Sequence, residues 1–173
     1  MSKIIVTTQS DWDALPKRFE TFTVLEIRSE DTIVIKDNPD SSSAVLWGSS
    51  SAELWGSSSA ELRDSSSAVL WGSSSAVLWG SSSAELWDSS SAEYEGEQLL
   101  QYLEISPLGS RQSPLRVYIT TSKTTIRTGC FCGNVEEFAA AVIRTHGDNT
   151  HAADYIAAIS MIRAIEKTRG VVR

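Results

Sequence analysis

The residues best suited to chemistry are two cysteines and two histidines, all within one stretch of 22 residues: Cys130, Cys132, His146 and His151. Thiolate and imidazole groups are ligands of tetrahedral zinc, and this spacing approximates a Cys2His2 site. However, one residue separates the two cysteines, whereas zinc sites usually have about two to four there. We therefore keep a zinc site only as a minor hypothesis and expect no cofactor.

A thiol enzyme would need a cysteine, a histidine and an orienting carboxylate in one pocket, and Cys130, His146 and Asp148 are the candidates. The sequence has neither a phosphate-binding glycine loop nor an HExxH motif. Glu136 and Glu137 lie at the predicted start of a helix, where the helix dipole accounts for them. A compact cap beside a solid repeat also leaves little room for a substrate cleft. We predict that the protein is not an enzyme.

The elements that must position any functional surface are dominated by a repeat. Seven consecutive octads run from Ser41 to Gly96, from SSSAVLWG to SSSAEYEG, and a fixed period of this kind indicates a solenoid. Positions 2, 4 and 6 of an octad, such as Ser42, Ala44 and Leu46, share one side of a strand. Glutamates recur on the other side and must face water. We therefore predict a narrow core of serine, alanine and leucine, with the tryptophans outside.

The residue at octad position 5 predicts the length of one coil. From Val45 to Glu93 it reads Val, Glu, Glu, Val, Val, Glu, Glu. With sixteen-residue coils, valine and glutamate alternate along each sheet, so that like charges never lie on neighbouring strands. A 24-residue coil would instead stack Glu61 on Glu85. We therefore predict coils of ~16 residues.

The same register orders the side chains at octad position 7. It places Arg63 between Trp47 and Trp79, where a guanidinium group can lie against indole rings. On the other side of the solenoid it aligns three tryptophans in an outward ladder: Trp55, Trp71 and Trp87. Exposed indoles in a row serve either as cross-strand structural contacts or as anchors for a partner.

The flanking segments are predicted to close the repeat. We divide the chain into an N-terminal αβ cap (1–40), the octad-repeat β-solenoid (41–96), irregular continuing coils (97–128) and a helical C-terminal cap (129–173). Caps are expected because an open coil end offers unpaired backbone groups to other chains. The predicted fold is mainly β: a β-solenoid with a short N-terminal cap and a C-terminal two-helix cap.

Capping signals mark the starts of the predicted helices. Ser10, followed by Asp13, is typical of a helical turn in the N-terminal cap, and Asn134, followed by Glu137, of a longer helix. The two C-terminal helices are predicted to span Val135–Thr145 and about Thr150–Lys167.

The net charge of −7 is concentrated in the octads, which carry seven acidic residues and one arginine and so hold −6 of it. They lack the clustered lysine and arginine that phosphate backbones require, so we expect no direct nucleic-acid partner. No segment approaches the ~20 apolar residues of a membrane span, and the first residues lack a secretory signal. Two cysteines fit a reducing compartment. We expect a cytoplasmic protein without a membrane partner.

Motifs along nearly the whole chain support a resemblance. They are the octads, the segments Val6–Gln9 and Phe22–Arg28, and the C-terminal motifs Arg127–Phe131, Glu136–Phe138, Thr145–Asn149 and Tyr155–Ala158. In these features the chain resembles bacteriophage and prophage proteins with octapeptide β-solenoid repeats and a small C-terminal helical module. The resemblance implies a viral origin and a β-solenoid, and it carries no activity.

These observations lead to a primary hypothesis of a non-enzymatic phage protein. Its acidic solenoid would bind a host protein, including a nucleic-acid-binding one, as an anti-defence inhibitor such as an anti-CRISPR protein that imitates nucleic acid. The predicted partner-binding residues are Glu53, Glu61, Glu85, Glu93, Trp47, Trp55, Trp71, Trp79, Trp87 and Arg63. The alternatives are a self-assembling scaffold (a homodimer or a larger assembly) and glycan binding by the tryptophan stripe.

Overall fold

The octads form short strands that stack into a solenoid. The protein is described by a computed structural model that covers residues 2–110 and 112–171. The chain divides into two compact units, residues 1–96 and 97–173. The elements of the first unit are β1 (Ser2–Val6), α1 (Gln9–Asp13), β2 (Arg18–Ile27), β3 (Ile33–Ile35), β4 (Asp40–Leu46), β5 (Ser51–Leu54), β6 (Ser59–Leu62), β7 (Ser67–Leu70), β8 (Ser75–Leu78), β9 (Ser83–Leu86) and β10 (Ser91–Tyr94).

Two parallel sheets build this unit. In sheet A the strand order is β1-β2-β4-β6-β8-β10, and in sheet B it is β3-β5-β7-β9. Within the octads each strand pairs with the one sixteen residues further along, so that Val45 lies beside Glu61 and Glu53 beside Val69. The result is a β-solenoid of about four coils of ~16 residues in a mainly β protein, which confirms the predicted fold class and coil length.

The core of the solenoid is narrow, as predicted. The octad alanines are buried, and five leucines at position 6 are fully buried: Leu46, Leu54, Leu62, Leu70 and Leu78. Five serines at position 2 are also buried: Ser50, Ser58, Ser66, Ser74 and Ser82. Some of their hydroxyl groups donate hydrogen bonds to corner carbonyls, as from Ser50 to Trp47 at 2.7 Å and from Ser66 to Arg63 at 2.7 Å, whereas the Ser74 hydroxyl has no partner among the described residues. Leu86 differs from its equivalents, since 38% of it is exposed.

Octad position 8 makes the corners. Gly72 has a φ of 69°, and Asp88 takes its place one coil later with a φ of 58°. Glycine adopts this left-handed conformation without strain, and aspartate is one of the few other residues that tolerate it. The carboxylate of Asp88 also accepts a hydrogen bond from the backbone N–H of Gly72 at 3.2 Å. Aspartate therefore replaces glycine at a corner and ties it to the preceding coil.

Residues 2–40 contain β-strands and the predicted helical turn, but the predicted start of the helix is wrong. Thr8, not Ser10, is the N-cap, and its side chain accepts a hydrogen bond from the backbone N–H of Asp11. The Asp11 carboxylate in turn accepts a hydrogen bond from the backbone N–H of Thr8 at 2.9 Å, so the capping box is formed by Asp11 and not by Asp13. Hydrogen bonds from Thr7 and Thr8 also hold the pKa of Asp11 below its usual value.

The second unit begins with antiparallel strands. Its elements are β11 (Glu97–Leu108), β12 (Ser113–Thr120), β13 (Thr124–Thr128), β14 (Phe131–Gly133), α2 (Val135–His146) and α3 (Thr150–Arg169). Consecutive strands pair antiparallel, whereas we expected continuing coils over 97–128. Positive φ angles at Gly109 and Gln112 accompany the reversal between β11 and β12. A short reversal of this kind makes neighbours antiparallel, while parallel strands need a longer crossover.

The two C-terminal helices pack on one another over an apolar core. Asn134 caps α2, and Glu137 completes the predicted capping box. The buried core of this unit includes Val117, Ile126, Phe138, Tyr155 and Ile162. No helix among the described residues has both the length and the apolar character required to cross a membrane.

Candidate interaction surface

The outward side of sheet B carries the predicted tryptophan ladder, and we call it the ladder face. Ring centroids are 5.2 Å apart between Trp55 and Trp71, and again between Trp71 and Trp87, with interplanar angles of 14° and 11°. The stacking follows from the sixteen-residue register, because strands about 4.8 Å apart bring identical octad positions into ring contact. The predicted ladder is therefore confirmed.

The two ends of the ladder are its accessible parts. Trp55 is 41% exposed and Trp87 is 51% exposed, while Trp71 between them is half-buried. The indole N–H of Trp55 donates to Glu53 at 3.3 Å. The indole nitrogen of Trp71 is buried and has no hydrogen-bond partner among the described residues. The ladder thus combines internal stacking with exposed indole surface at both ends.

The octads that form the ladder face contain acidic residues but no basic ones. Glu53 and Glu85 lie on either side of Val69 in the strand register, and Asp88 follows at the next corner. The three octads of sheet B contain these acidic residues and no lysine, arginine or histidine. Glu85 and Asp88 are exposed. The octads of this face therefore carry carboxylates beside indole rings and no cationic side chain.

The outward side of sheet A, the paired face, has a different charge arrangement. The guanidinium group of Arg63 lies 5.1 Å from the ring centroid of Trp47 and 6.0 Å from that of Trp79, which confirms the predicted stacking. The same group forms an ion pair with Glu61. The guanidinium group of Arg63 is thus held by one carboxylate and two indole rings, while its Nε and the indole nitrogen of Trp47 are buried without a hydrogen-bond partner among the described residues. Glu93 on β10, near the C-terminal end of the paired face, is exposed.

Charge pairing also extends to the N-terminal strands of the paired face. Lys3 lies 2.6 Å and Arg28 3.0 Å from the carboxylate of Glu26, which is buried. The hydrogen bond from Lys3 outweighs desolvation and, with Arg28, holds the pKa of Glu26 below its usual value. On the paired face, Glu26 and Glu61 thus form ion pairs, whereas no ion pair of Glu53 or Glu85 on the ladder face is found among the described residues.

The structure does not gather the cysteines and histidines into a metal site. Cys130 and His146 line one surface pocket with Phe138 and Tyr155, but Cys132 is not among the lining residues. Both cysteines are exposed, and the ring of His146 stacks on Tyr155 with centroids 5.6 Å apart. Among the described residues, no three His, Cys, Asp or Glu side chains are arranged to hold a metal ion.

The candidate thiol site is incomplete in the same pocket. Cys130 and His146 both line it, but Asp148, the proposed orienting carboxylate, does not. Aromatic and aliphatic side chains make up much of its wall, with Phe138 and Val142 among them. In a thiol site the imidazole would activate the thiol and a carboxylate would orient the imidazole, and Asp148 does not line this pocket.

Two features of the first unit could not be read from the octad pattern. The side-chain amide of Gln9 hydrogen-bonds to both backbone groups of Val34 in β3, at 2.7 Å to the N–H and 3.1 Å to the carbonyl. At the other end of sheet B, Leu86 and Trp87 are exposed. A sequence signal for the second feature is that the octads end at Gly96, before another unit could stack on β9.

The stacked coils of the first unit place it in the class of β-solenoids. Comparison with protein-family models, with curated proteins and with solved structures finds no match to this chain. Function must therefore be inferred from the surface of the solenoid itself.

Proposed function

We propose that the protein is a non-enzymatic interaction protein whose acidic β-solenoid binds a basic surface of a host protein. In this proposal it is encoded by a bacteriophage and acts in the host cytoplasm as an inhibitor of a nucleic-acid-binding defence protein. The observation that carries the proposal is the ladder face, where Glu53, Glu85 and Asp88 have no cationic octad neighbour and flank stacked indoles.

The contrast between the two faces supports the choice of surface. On the paired face, Arg63 and Glu61 already neutralise each other, so a partner would have to compete with that ion pair. On the ladder face, a partner's lysine or arginine would meet carboxylates whose charge is otherwise exposed to water. Complementary charge accelerates the association of two proteins and sets their relative orientation, while indole side chains supply apolar surface that becomes buried in the interface.

The regularity of the surface supports an inhibitor of a nucleic-acid-binding protein. Glu53 and Glu85 lie two strands apart, which corresponds to about 10 Å along the solenoid. A rigid row of negative charge can occupy a groove that evolved for a phosphate backbone. A partner of this kind would release its nucleic acid when the solenoid binds, and that release can be measured directly.

The test compares two matched charge reversals on opposite faces. Affinity purification from bacterial lysate with mass spectrometry supplies candidate partners, and the dissociation constant is then measured with purified proteins. Glu85→Lys should weaken binding about tenfold, since it inverts an exposed charge on the ladder face. Glu93→Lys, an equal change at the same octad position on the paired face, should leave the affinity within about twofold.

Competition with nucleic acid separates inhibition from simple binding. Fluorescently labelled DNA or RNA bound to the partner should be displaced by the wild-type protein, and less effectively by Glu85→Lys. Equal effects of the two reversals would refute the ladder face as the binding surface. Simultaneous binding of nucleic acid and solenoid would refute the inhibitory mechanism.

A further inference from the structure

We propose that the free edge of β9 is a strand-addition site, which accepts an extended segment of a protein partner and places an arginine of that segment on Trp87. This inference rests on the proposed function, since it specifies how the partner binds. Exposed strand edges pair readily with extended segments, which gain affinity from backbone hydrogen bonds and specificity from alternate side chains.

The edge of β9 is exposed in the structure. Among the described strands, β9 is the last of sheet B, with β7 as its only neighbour there. Leu86 is 38% exposed, whereas its equivalents Leu54 and Leu70 are fully buried. The N–H of Trp87 donates to the carbonyl of Leu70 at 3.0 Å. The backbone groups of consecutive residues point to opposite edges of a strand. The carbonyl of Leu86 therefore faces away from β7, where the N–H of a further strand would donate to it.

The opposite edge of sheet B is closed. The amide of Gln9 accepts from the N–H of Val34 and donates to its carbonyl, so it occupies the positions that a neighbouring strand would take. This closure prevents the β9 edge of one copy from stacking head-to-tail on the β3 edge of another. The two ends of one sheet are thus chemically different, and only the β9 end can receive a strand.

Charge argues against a second copy in the antiparallel orientation. Two β9 strands related by a twofold axis would bring the exposed Glu85 and Asp88 of both copies together. Like charges on paired strands are destabilising. A segment with a cationic side chain at this point would be attracted by Glu85 and Asp88, whereas a second copy would be repelled. The occupant is therefore a basic strand of a different protein.

The paired face shows the chemistry that such a strand would use. Arg63 follows the solenoid register and lies between the rings of Trp47 and Trp79 while it pairs with Glu61. A segment that continues sheet B in this register would set one side chain over Glu85 and the next outward one over Trp87. Octad position 5 alternates between glutamate and valine along sheet B, so a segment that continues the alternation has an uncharged, β-branched residue over Glu85. Over Trp87 the preferred residue is arginine.

The probe is the synthetic peptide acetyl-Ser-Ser-Ser-Ala-Val-Leu-Arg-Gly-amide, titrated to millimolar concentration into the ¹⁵N-labelled full chain. We expect saturable shifts at the backbone amides of Ala84 and Leu86 and at the indole of Trp87. Replacing the peptide's arginine with alanine should weaken its binding about fivefold. Absence of shifts at β9 would overturn the inference.

Matched variants of the protein complete the test. Trp87→Ala should weaken the arginine peptide about fivefold, whereas Trp55→Ala, at the same octad position two coils away, should leave it within about twofold. Equal losses from both variants would overturn strand addition. The two proposals fail separately. If the peptide binds at β9 but Glu85→Lys leaves the partner affinity unchanged, only the proposed function is refuted. If the peptide does not bind at β9 but Glu85→Lys weakens partner binding, only the strand-addition site is refuted.

Discussion

Replacing Leu86 with alanine tests whether the end of sheet B is open in solution. Leu70 occupies the same octad position on the neighbouring strand and is fully buried, so Leu70→Ala is the matched reference. The two substitutions remove the same atoms from the same sheet. They differ in that 38% of Leu86 is already in contact with water.

The expected energies follow from this difference in burial. Truncating a fully buried leucine costs about 3 kcal/mol or more, because the apolar transfer energy is lost and a cavity remains. Leu86 buries roughly three-fifths of its surface and borders solvent, so little cavity remains after truncation, and we expect a cost of about 1–1.5 kcal/mol. The predicted gap between the two variants is about 1.5–2 kcal/mol.

Urea denaturation followed by tryptophan fluorescence measures this gap cleanly, because all six tryptophans lie within residues 1–96. The unfolding free energies of both variants are compared with the wild type at equal protein concentration. Equal costs for Leu86→Ala and Leu70→Ala would refute an open edge, and light scattering on the same samples would then show whether a second copy covers it.

Two further predictions concern charge. Val69→Glu should lower the unfolding free energy by about 1 kcal/mol relative to Val69→Gln, since it inserts a carboxylate between Glu53 and Glu85, and added salt should reduce the difference in urea titrations. The lowered pKa of Glu26 predicts stability that is present above its ordinary value of 4.5 and is lost as pH falls through the folded-state pKa. Glu26→Gln should therefore show a flatter decline in thermal midpoint over that acidic range, and a decline as steep as the wild type's would contradict the role of the Lys3 contact.

The coil length and the side-chain positions of the solenoid could be predicted because they are local. Each octad repeats the same strand and corner, and position 5 restricts how octads can stack without placing Glu61 beside Glu85. The stacking of Arg63 between two indoles then follows from the register alone. Helix α2 was predicted for a similar reason, since the capping box of Asn134 and Glu137 spans only four residues.

The path of the chain after Gly96 could not be predicted in the same way. Strand signals over 97–128 are equally compatible with parallel coils and with antiparallel pairs, because both place alternate side chains on opposite faces. The difference arises at the reversal near Gly109 and Gln112, and its outcome depends on packing against α2 and α3. Likewise, the spacing of Cys130, Cys132, His146 and His151 along the sequence does not establish that their side chains converge in space.

For the proposed interaction surface, the octad sequence by itself determined the ladder, the alternation of valine and glutamate, and the absence of octad cations on one face. These properties follow from a period of eight residues and a strand period of two. Which end of sheet B is closed and which is open follows from contacts between distant parts of the chain. Gln9 reaches Val34 across 25 residues, and Leu86 is exposed where the described sheet ends at β9. Such features depend on which strands become neighbours, and the octad pattern does not specify how the chain continues beyond its first and last units.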